Sequence, residues 1–332
     1  MKKTLLLILA ALLSVSMLSA CQAPTDDRKE ITVVTTVFAE YDWARQIIGQ
    51  ESGIHLILLT ENGTDLHSYQ PTVSDIALLS ECDILIHTGG VSDNWIQEAL
   101  KFSSNQNQVI VRLFDHLTDQ QKLVEQTQHN HEHHDDHEKH SHEYDEHVWL
   151  SLKNAIPFCQ AITDALCQKL PQSSNAFREN CARYIKELEE LDAQMEAAIS
   201  APHIQTVLFA DRFPFSYLLH DYGLTCFAAF PGCSSEIEAG FHTVIHLAEQ
   251  IDMHRLPYVF VLEVSDGRLA EAVIASTAQK NAKILVMDSL QSVSSKDIQS
   301  GITYLDRMKH NIEILSLAIR QINEVNYDTN IS

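Results

Sequence analysis

Ile31-Thr32-Val33-Val34-Thr35-Thr36-Val37-Phe38 is followed almost at once by Tyr41-Asp42-Trp43-Ala44-Arg45-Gln46-Ile47-Ile48-Gly49. The first run is β-branched or apolar at every position and predicts a strand. In the second, Trp43, Ile47 and Ile48 recur at helical spacing. A strand feeding directly into a helix is the unit of α/β folds, and it recurs along the chain. Further strands are predicted over 54–59, 83–87 and 109–113, with helices over 73–80, 94–101 and 152–170. The second half repeats the scheme, with strands over 206–209, 225–230, 258–263 and 284–287 and helices over 212–221, 236–251, 267–279 and 303–323. The expectation is an α/β fold of two lobes, 31–171 and 203–332, each a four-stranded, mostly parallel sheet flanked by helices.

Between them, 172–202 reads differently. Phe177, Cys181, Tyr184, Leu188, Leu191, Met195 and Ala198 recur at alternating steps of four and three, with charges between. That spacing predicts one long linking helix whose apolar stripe is too long for one small lobe to cover. A two-stranded coiled coil is the alternative.

The 332 residues carry 23 Lys+Arg against 45 Asp+Glu, a net charge of −22. Such a balance repels nucleic acid and anionic lipid and attracts cations. At the start, Met1-Lys2-Lys3 is basic, 5–17 is apolar but short for a membrane span, and Leu18-Ser19-Ala20-Cys21 sets small residues before a cysteine. This pattern resembles a bacterial lipoprotein signal over 1–21, with Cys21 as the lipid-carrying first residue of the mature chain. An ordinary secretory signal or a membrane anchor are the other readings. Residues 22–30 then read as a flexible tether. The six remaining cysteines form no Cys-x-x-Cys pair, which argues against a thiolate zinc site. Cys226 and Cys233 are the closest-spaced disulfide candidates, and most of the others are expected as buried free thiols.

Eight of the 18 histidines lie between His129 and Trp149. His129, His131, His133, His134, His137, His140 and His142 alternate with carboxylates in a stretch, 128–143, with too little apolar surface to offset its own ordering. Imidazole-rich composition marks metal capture, and a solvated acidic loop is the plainer reading. His147 differs, because Val148-Trp149-Leu150 restores an apolar run that predicts an ordered element.

In open α/β sheets, ligands sit beyond the carboxyl ends of the strands. His67 follows the second strand, His147 the long loop after the fourth, Asp211 the first strand of the second lobe and Asp288 its last. Two imidazoles and two carboxylates would make a four-ligand N/O site suited to zinc or manganese. Taken singly, each is more often a capping or surface residue.

His67-Ser68-Tyr69-Gln70-Pro71-Thr72 with Asp75, Gly89-Gly90 before Trp95, Asp145-Glu146-His147-Val148-Trp149-Leu150 and Tyr304-Leu305-Asp306-Arg307-Met308-Lys309-His310-Asn311 together resemble the zinc/manganese ABC-transporter solute-binding lipoproteins, the cluster A-I metal-binding receptors. The resemblance runs from Ile31 nearly to the end. It implies two pseudo-symmetric lobes, a rigid linking helix, and a cleft whose first two ligands match His67 and His147, and the histidine tract resembles the zinc-specific branch. One departure concerns the second lobe, where many relatives place a third histidine or a glutamate. Here Asp211 is the nearest donor, followed by Arg212. Asp288-Ser289-Leu290 resembles the family's Asp-Ser element and is the better ligand candidate, with Glu263 acting from behind the ligands by orienting a histidine.

The resulting expectation is an extracytoplasmic, lipid-anchored, monomeric receptor that binds a divalent transition metal, zinc before manganese or iron, and delivers it to an ABC permease and its ATPase. A metal-binding adhesin is a rival. An exported metallohydrolase is another, but the chain has no His-Glu-x-x-His pair.

Overall fold

The structure, a computed structural model, describes residues 30–60, 63–64, 66–124, 144–199, 206–231 and 239–329. Cys21, residues 22–29 of the tether, Cys233 and the histidines from His129 to His142 lie outside the described residues.

Strands β1 (Ile31–Thr35), β2 (Ile54–Leu58), β3 (Ile84–His87) and β4 (Val109–Arg112) form one sheet in the order β2-β1-β3-β4. Strands β5 (Thr206–Phe213), β6 (Thr225–Pro231), β7 (Tyr258–Leu262) and β8 (Lys283–Met287) form a second in the same permutation, β6-β5-β7-β8. Every pairing is parallel. In each sheet the first strand lies inside, with its successor on one side and the third strand on the other. Each sheet therefore has a switch point where connections leave in opposite directions and open a crevice at the strand ends.

Helices α1 (Phe38–Ile48), α2 (Val73–Glu81) and α3 (Asn94–Leu100) make the crossovers of the first sheet. Helix α4 (Leu152–Lys169) then leads through a short turn into α5 (Ser174–Ile199), the long helix between the lobes. At 26 residues it is ~39 Å long. Its stripe Phe177, Cys181, Tyr184, Leu188, Leu191 and Met195 is buried as expected, with Ile199 in place of Ala198 as its last buried residue. It packs on α1, α4 and, once the chain has passed α6 (Ser216–Asp221), α7 (Phe241–His254), α8 (Arg268–Ser276) and α9 (Ser295–Gln299), on α10 (Tyr304–Thr329). The stripe is thus covered by helices of its own chain, which removes the need for a coiled-coil partner.

Residues Ile31–Ser332 group as one compact unit. Its main apolar core runs continuously through both halves and includes Trp43, Trp149, Phe177, Phe209, Phe260 and Tyr304. Each sheet packs a second, smaller core on its outer face, around Leu79, Leu85 and Ile96 in the first and Leu247, Val259 and Val261 in the second. Cys82, Cys159, Cys167 and Cys181 are buried free thiols, and Cys226 is a half-buried one.

Two differences from the sequence expectation lie in the second half of the chain. The helix expected over 212–221 begins only at Ser216, because β5 continues through a bulge to Phe213 and Pro214 biases the residue before it away from helical backbone. The aromatic run there packs Phe209 against Phe213, Phe215 and Phe260, with centroids 5.1–5.3 Å apart. Helix α9 is also new, and Ser294 and Asp297 cap it reciprocally.

At the first switch point Glu40 is fully buried at the start of α1. Its Oε2 accepts from the N–H groups of Thr36 and Val37, and its Oε1 from the Thr88 hydroxyl. Burial, and then the neighbouring Asp93, push its carboxyl up to about 8 against those hydrogen bonds. A folded value above the unfolded one means the native state holds a proton the unfolded chain has lost, so this contribution to stability declines as pH rises from about 4.5 through about 8. Glu40→Gln, which mimics the protonated acid, is expected to flatten the fall in Tm between those limits, and an unchanged slope in thermal melts would contradict it.

Candidate metal centre

His67 lies on a loop that β2 delivers to the strand ends. Its position is built from local chemistry. A capping box closes the loop at the start of α2, with Thr72 N–H donating to Asp75 Oδ2 at 2.7 Å and Asp75 N–H returning to Thr72 Oγ1 at 3.3 Å. Leu66 is buried beneath a 3₁₀ turn, Leu66–Ser68, and the Tyr69 ring leans on Trp95 with centroids 5.9 Å apart.

His147 is held more tightly still. Before it, Asp145 N–H donates to the Leu123 carbonyl at 2.8 Å, and Tyr217 Oη donates to the Asp145 carbonyl at 2.9 Å. After it comes a 3₁₀ turn, Val148–Leu150, whose Trp149 is fully buried. The Trp149 indole N–H donates to the Ser289 carbonyl at 3.0 Å and so ties the His147 segment to the loop after β8. Tyr304 Oη donates to the Trp149 carbonyl at 2.7 Å.

The two histidines meet. His67 Nε2 and His147 Nε2 are 3.2 Å apart, with ring centroids at 5.2 Å. The other nitrogen of each ring faces a carboxylate. His147 Nδ1 is 2.7 Å from Asp145 Oδ1, which makes it the proton carrier. His67 Nδ1 lies 2.9 Å from Glu146 Oε1 and 2.8 Å from Ser92 Oγ. Since the Ser92 hydroxyl donates to Glu146 Oε1 at 2.6 Å, its oxygen is left to accept, and His67 Nδ1 also carries the proton. Both rings therefore turn an Nε2 lone pair toward the same point. Two opposed lone pairs at this separation repel, and a cation that both can ligate relieves the repulsion.

Electrostatics sharpen the arrangement. Burial works against the charge of Glu146, yet the hydrogen bond from His67, with help from Ser92, holds its carboxyl down at about 2. Asp145 is also buried, and His147 outweighs the burial to hold it below the usual carboxylate range. A Cβ on Gly90 would collide with the Glu146 side chain, so this glycine makes room for the carboxylate.

The second lobe contributes differently. Asp288 follows β8 and is almost buried. Its Oδ2 is 2.9 Å from Arg307 Nη1, and its Oδ1 accepts from Leu290 N–H at 2.8 Å. Asn311 brackets the Asp288 backbone, accepting its N–H at 2.8 Å and donating to its carbonyl at 2.7 Å. Leu290 is held at φ 61, a left-handed conformation unfavourable for leucine, within this turn. Glu263, expected to orient a histidine, instead accepts from Ser289 N–H at 3.0 Å and Ser289 Oγ at 2.8 Å. Burial, and then Asp288, raise its carboxyl. Asp211, expected beyond a strand end, lies inside β5, where its oxygens accept from Arg212 N–H at 2.8 Å and Leu262 N–H at 3.2 Å. Among the described residues no three His, Cys, Asp or Glu side chains converge closely enough to hold a metal ion.

The residues that sequence reading passed over are Ser92, Glu146, Arg307 and Asn311, each of which positions a candidate ligand. The Asp-Glu pair directly before His147 was the available signal, since ligating histidines usually have a carboxylate on their second nitrogen.

The chain is 27% identical over 316 residues to the zinc-binding lipoprotein AdcA of Streptococcus pneumoniae, covering 94% of this chain and 60% of that one. It is 25% identical over 287 residues to the high-affinity zinc uptake system protein ZnuA of Bacillus subtilis, covering 86% of both. It thus spans little more than half the length of its streptococcal relatives. In structure it resembles the Zn(II)-bound ZnuA-like domain of S. pneumoniae AdcA, with TM-score 0.69, 22% identity, and 87% of this chain and 99% of that one covered. The family model described as ZnuA, zinc-uptake complex component A, periplasmic, matches residues 33–318, and the chain belongs to that family.

Proposed function

We propose that this protein is the extracytoplasmic receptor of a zinc-uptake ABC transporter, which binds one ion between its lobes and hands it to the permease. The single observation that supports this reading is the 3.2 Å approach of His67 Nε2 and His147 Nε2, with each Nδ1 committed to a carboxylate. Imidazole nitrogens suit zinc, and with carboxylates added the set also accepts manganese. The process is binding and release, with no bond of a substrate made or broken.

In this reading Asp288 completes the coordination from the second lobe after leaving Arg307, while Asp211 braces β5 against β7. The lobes are too closely packed for a wide hinge, so capture proceeds by small shifts of the His67 loop and the Asp288 turn. The histidines from His129 to His142 act as a low-affinity antenna, and a lipid on Cys21 keeps the monomeric receptor beside its permease and ATPase.

Competition titration of zinc against a chelating dye tests the assignment. His67→Ala and His147→Ala are expected to lose more than the roughly 10–100-fold that removal of an outer partner costs. Asp211→Asn is expected to lower Tm and leave zinc affinity unchanged. Retention of tight zinc by His67→Ala would sink the reading. The same titration with manganese, in which the wild-type protein is expected to prefer zinc, decides the cargo. Arg307→Gln is expected to tighten zinc binding, because Asp288 no longer has a competing cation; weaker binding would mean that the guanidinium supports the carboxylate as a ligand.

A further inference from the structure

We propose that Glu146 sets the metal affinity of the centre, acting as a positioning residue that locks His67 in the orientation and tautomer in which it can ligate. The proposal rests on the reading of His67 and His147 as metal ligands and deepens it.

Asp145 and Glu146 are neighbours in sequence, yet their carboxylates go to different imidazoles. Asp145 takes the ring next to it in the chain, and Glu146 takes one that is 79 positions away. The second arrangement spans two loops. Glu146 Oε2 accepts from Ser92 N–H at 2.9 Å, and Oε1 is shared by the Ser92 hydroxyl and His67 Nδ1. Glu146 thereby links the His67 loop, the start of α3 and the His147 segment.

A purely structural brace would not need a charge. The side chain is almost buried, where an ionised carboxylate is costly unless paired, and Gly90 must lack a side chain for it to fit. What the charge adds is chemical. A carboxylate on Nδ1 raises the basicity of Nε2 and offsets part of the positive charge of a divalent ion. With Asp145 doing the same for His147, the first lobe supplies two donors and two compensating charges without help from Asp288, which is engaged by Arg307. Capture can therefore begin on one lobe.

The experiment uses the full-length protein with Glu146→Ala, Glu146→Gln and His67→Ala, and zinc as the probe. Nitrogen-15 NMR of the metal-free protein reports each histidine tautomer, and chelator competition reports affinity. Glu146→Ala is expected to scramble the His67 tautomer, leave that of His147 intact, and weaken zinc by about 10–100-fold at little change in Tm. Glu146→Gln keeps an acceptor for Nδ1, so it is expected to restore the His67 tautomer and only part of the affinity. An unchanged zinc affinity in Glu146→Ala, while His67→Ala loses tight zinc, would overturn this proposal alone. Tight zinc retained in both would overturn the ligand reading and this proposal with it. Loss of the His147 tautomer and of Tm together with affinity in Glu146→Ala would reduce Glu146 to a structural brace and likewise overturn the proposal.

Discussion

The hydrogen bond from the Trp149 indole to the Ser289 carbonyl is the constraint through which the two halves act on one site. Trp149 is wholly buried, its ring stands edge-on to His147 at 5.2 Å, and its own carbonyl receives the Tyr304 hydroxyl. One residue thus fixes, through its side chain, the histidine two residues before it and the turn after β8, and, through its carbonyl, the first residue of α10. The Tyr304 N–H in turn donates to Asp42 on α1 at 2.7 Å, which closes the circuit back to the first strand–helix unit. A polar bond this deeply buried stabilises only if both partners are kept, so the frame around the histidines is held by interdependent contacts.

The two halves differ in readiness. In the first, both imidazoles already have their proton on Nδ1, their carboxylates beneath them and their Nε2 atoms opposed. In the second, Asp288 is equally well framed by Asn311 and Leu290 but is paired with a guanidinium that has Asp297 as a second partner at 3.7 Å. In the reading proposed above, selectivity for a cation follows from the fixed imidazoles, and release from the ease with which Asp288 returns to Arg307. The excess of carboxylates over the whole chain gives a field that attracts cations without choosing among them.

Much of the fold was legible in the sequence. β-branched runs bounded by helical spacing marked all eight strands, and the four-three rhythm from Phe177 to Met195 marked α5, because both patterns record which face is buried. Failure came at Phe209 to Tyr217, where aromatics that fill a bulged strand end mimic the spacing of a helix. That His67 and His147 come together was readable from their places after strands and from the motifs around them. What those motifs do was not. The Tyr304-to-Asn311 stretch frames Asp288 and Trp149, and Gly90 makes room for Glu146, contacts that span from about 20 to more than 150 residues and leave no periodicity. The roles of Asp211 and Glu263 were hidden for the same reason, since only the fold shows which N–H reaches a carboxylate first.

The central claim is that His67 and His147 bind one ion together through Nε2. Zinc K-edge X-ray absorption on protein loaded with one equivalent of zinc, with residues 129–142 removed so that the tract cannot contribute imidazoles, tests it directly. The account predicts two imidazole nitrogens at about 2.0–2.1 Å, with oxygen donors completing the shell. A shell of oxygens alone, or a spectrum unchanged by His147→Ala, would contradict it.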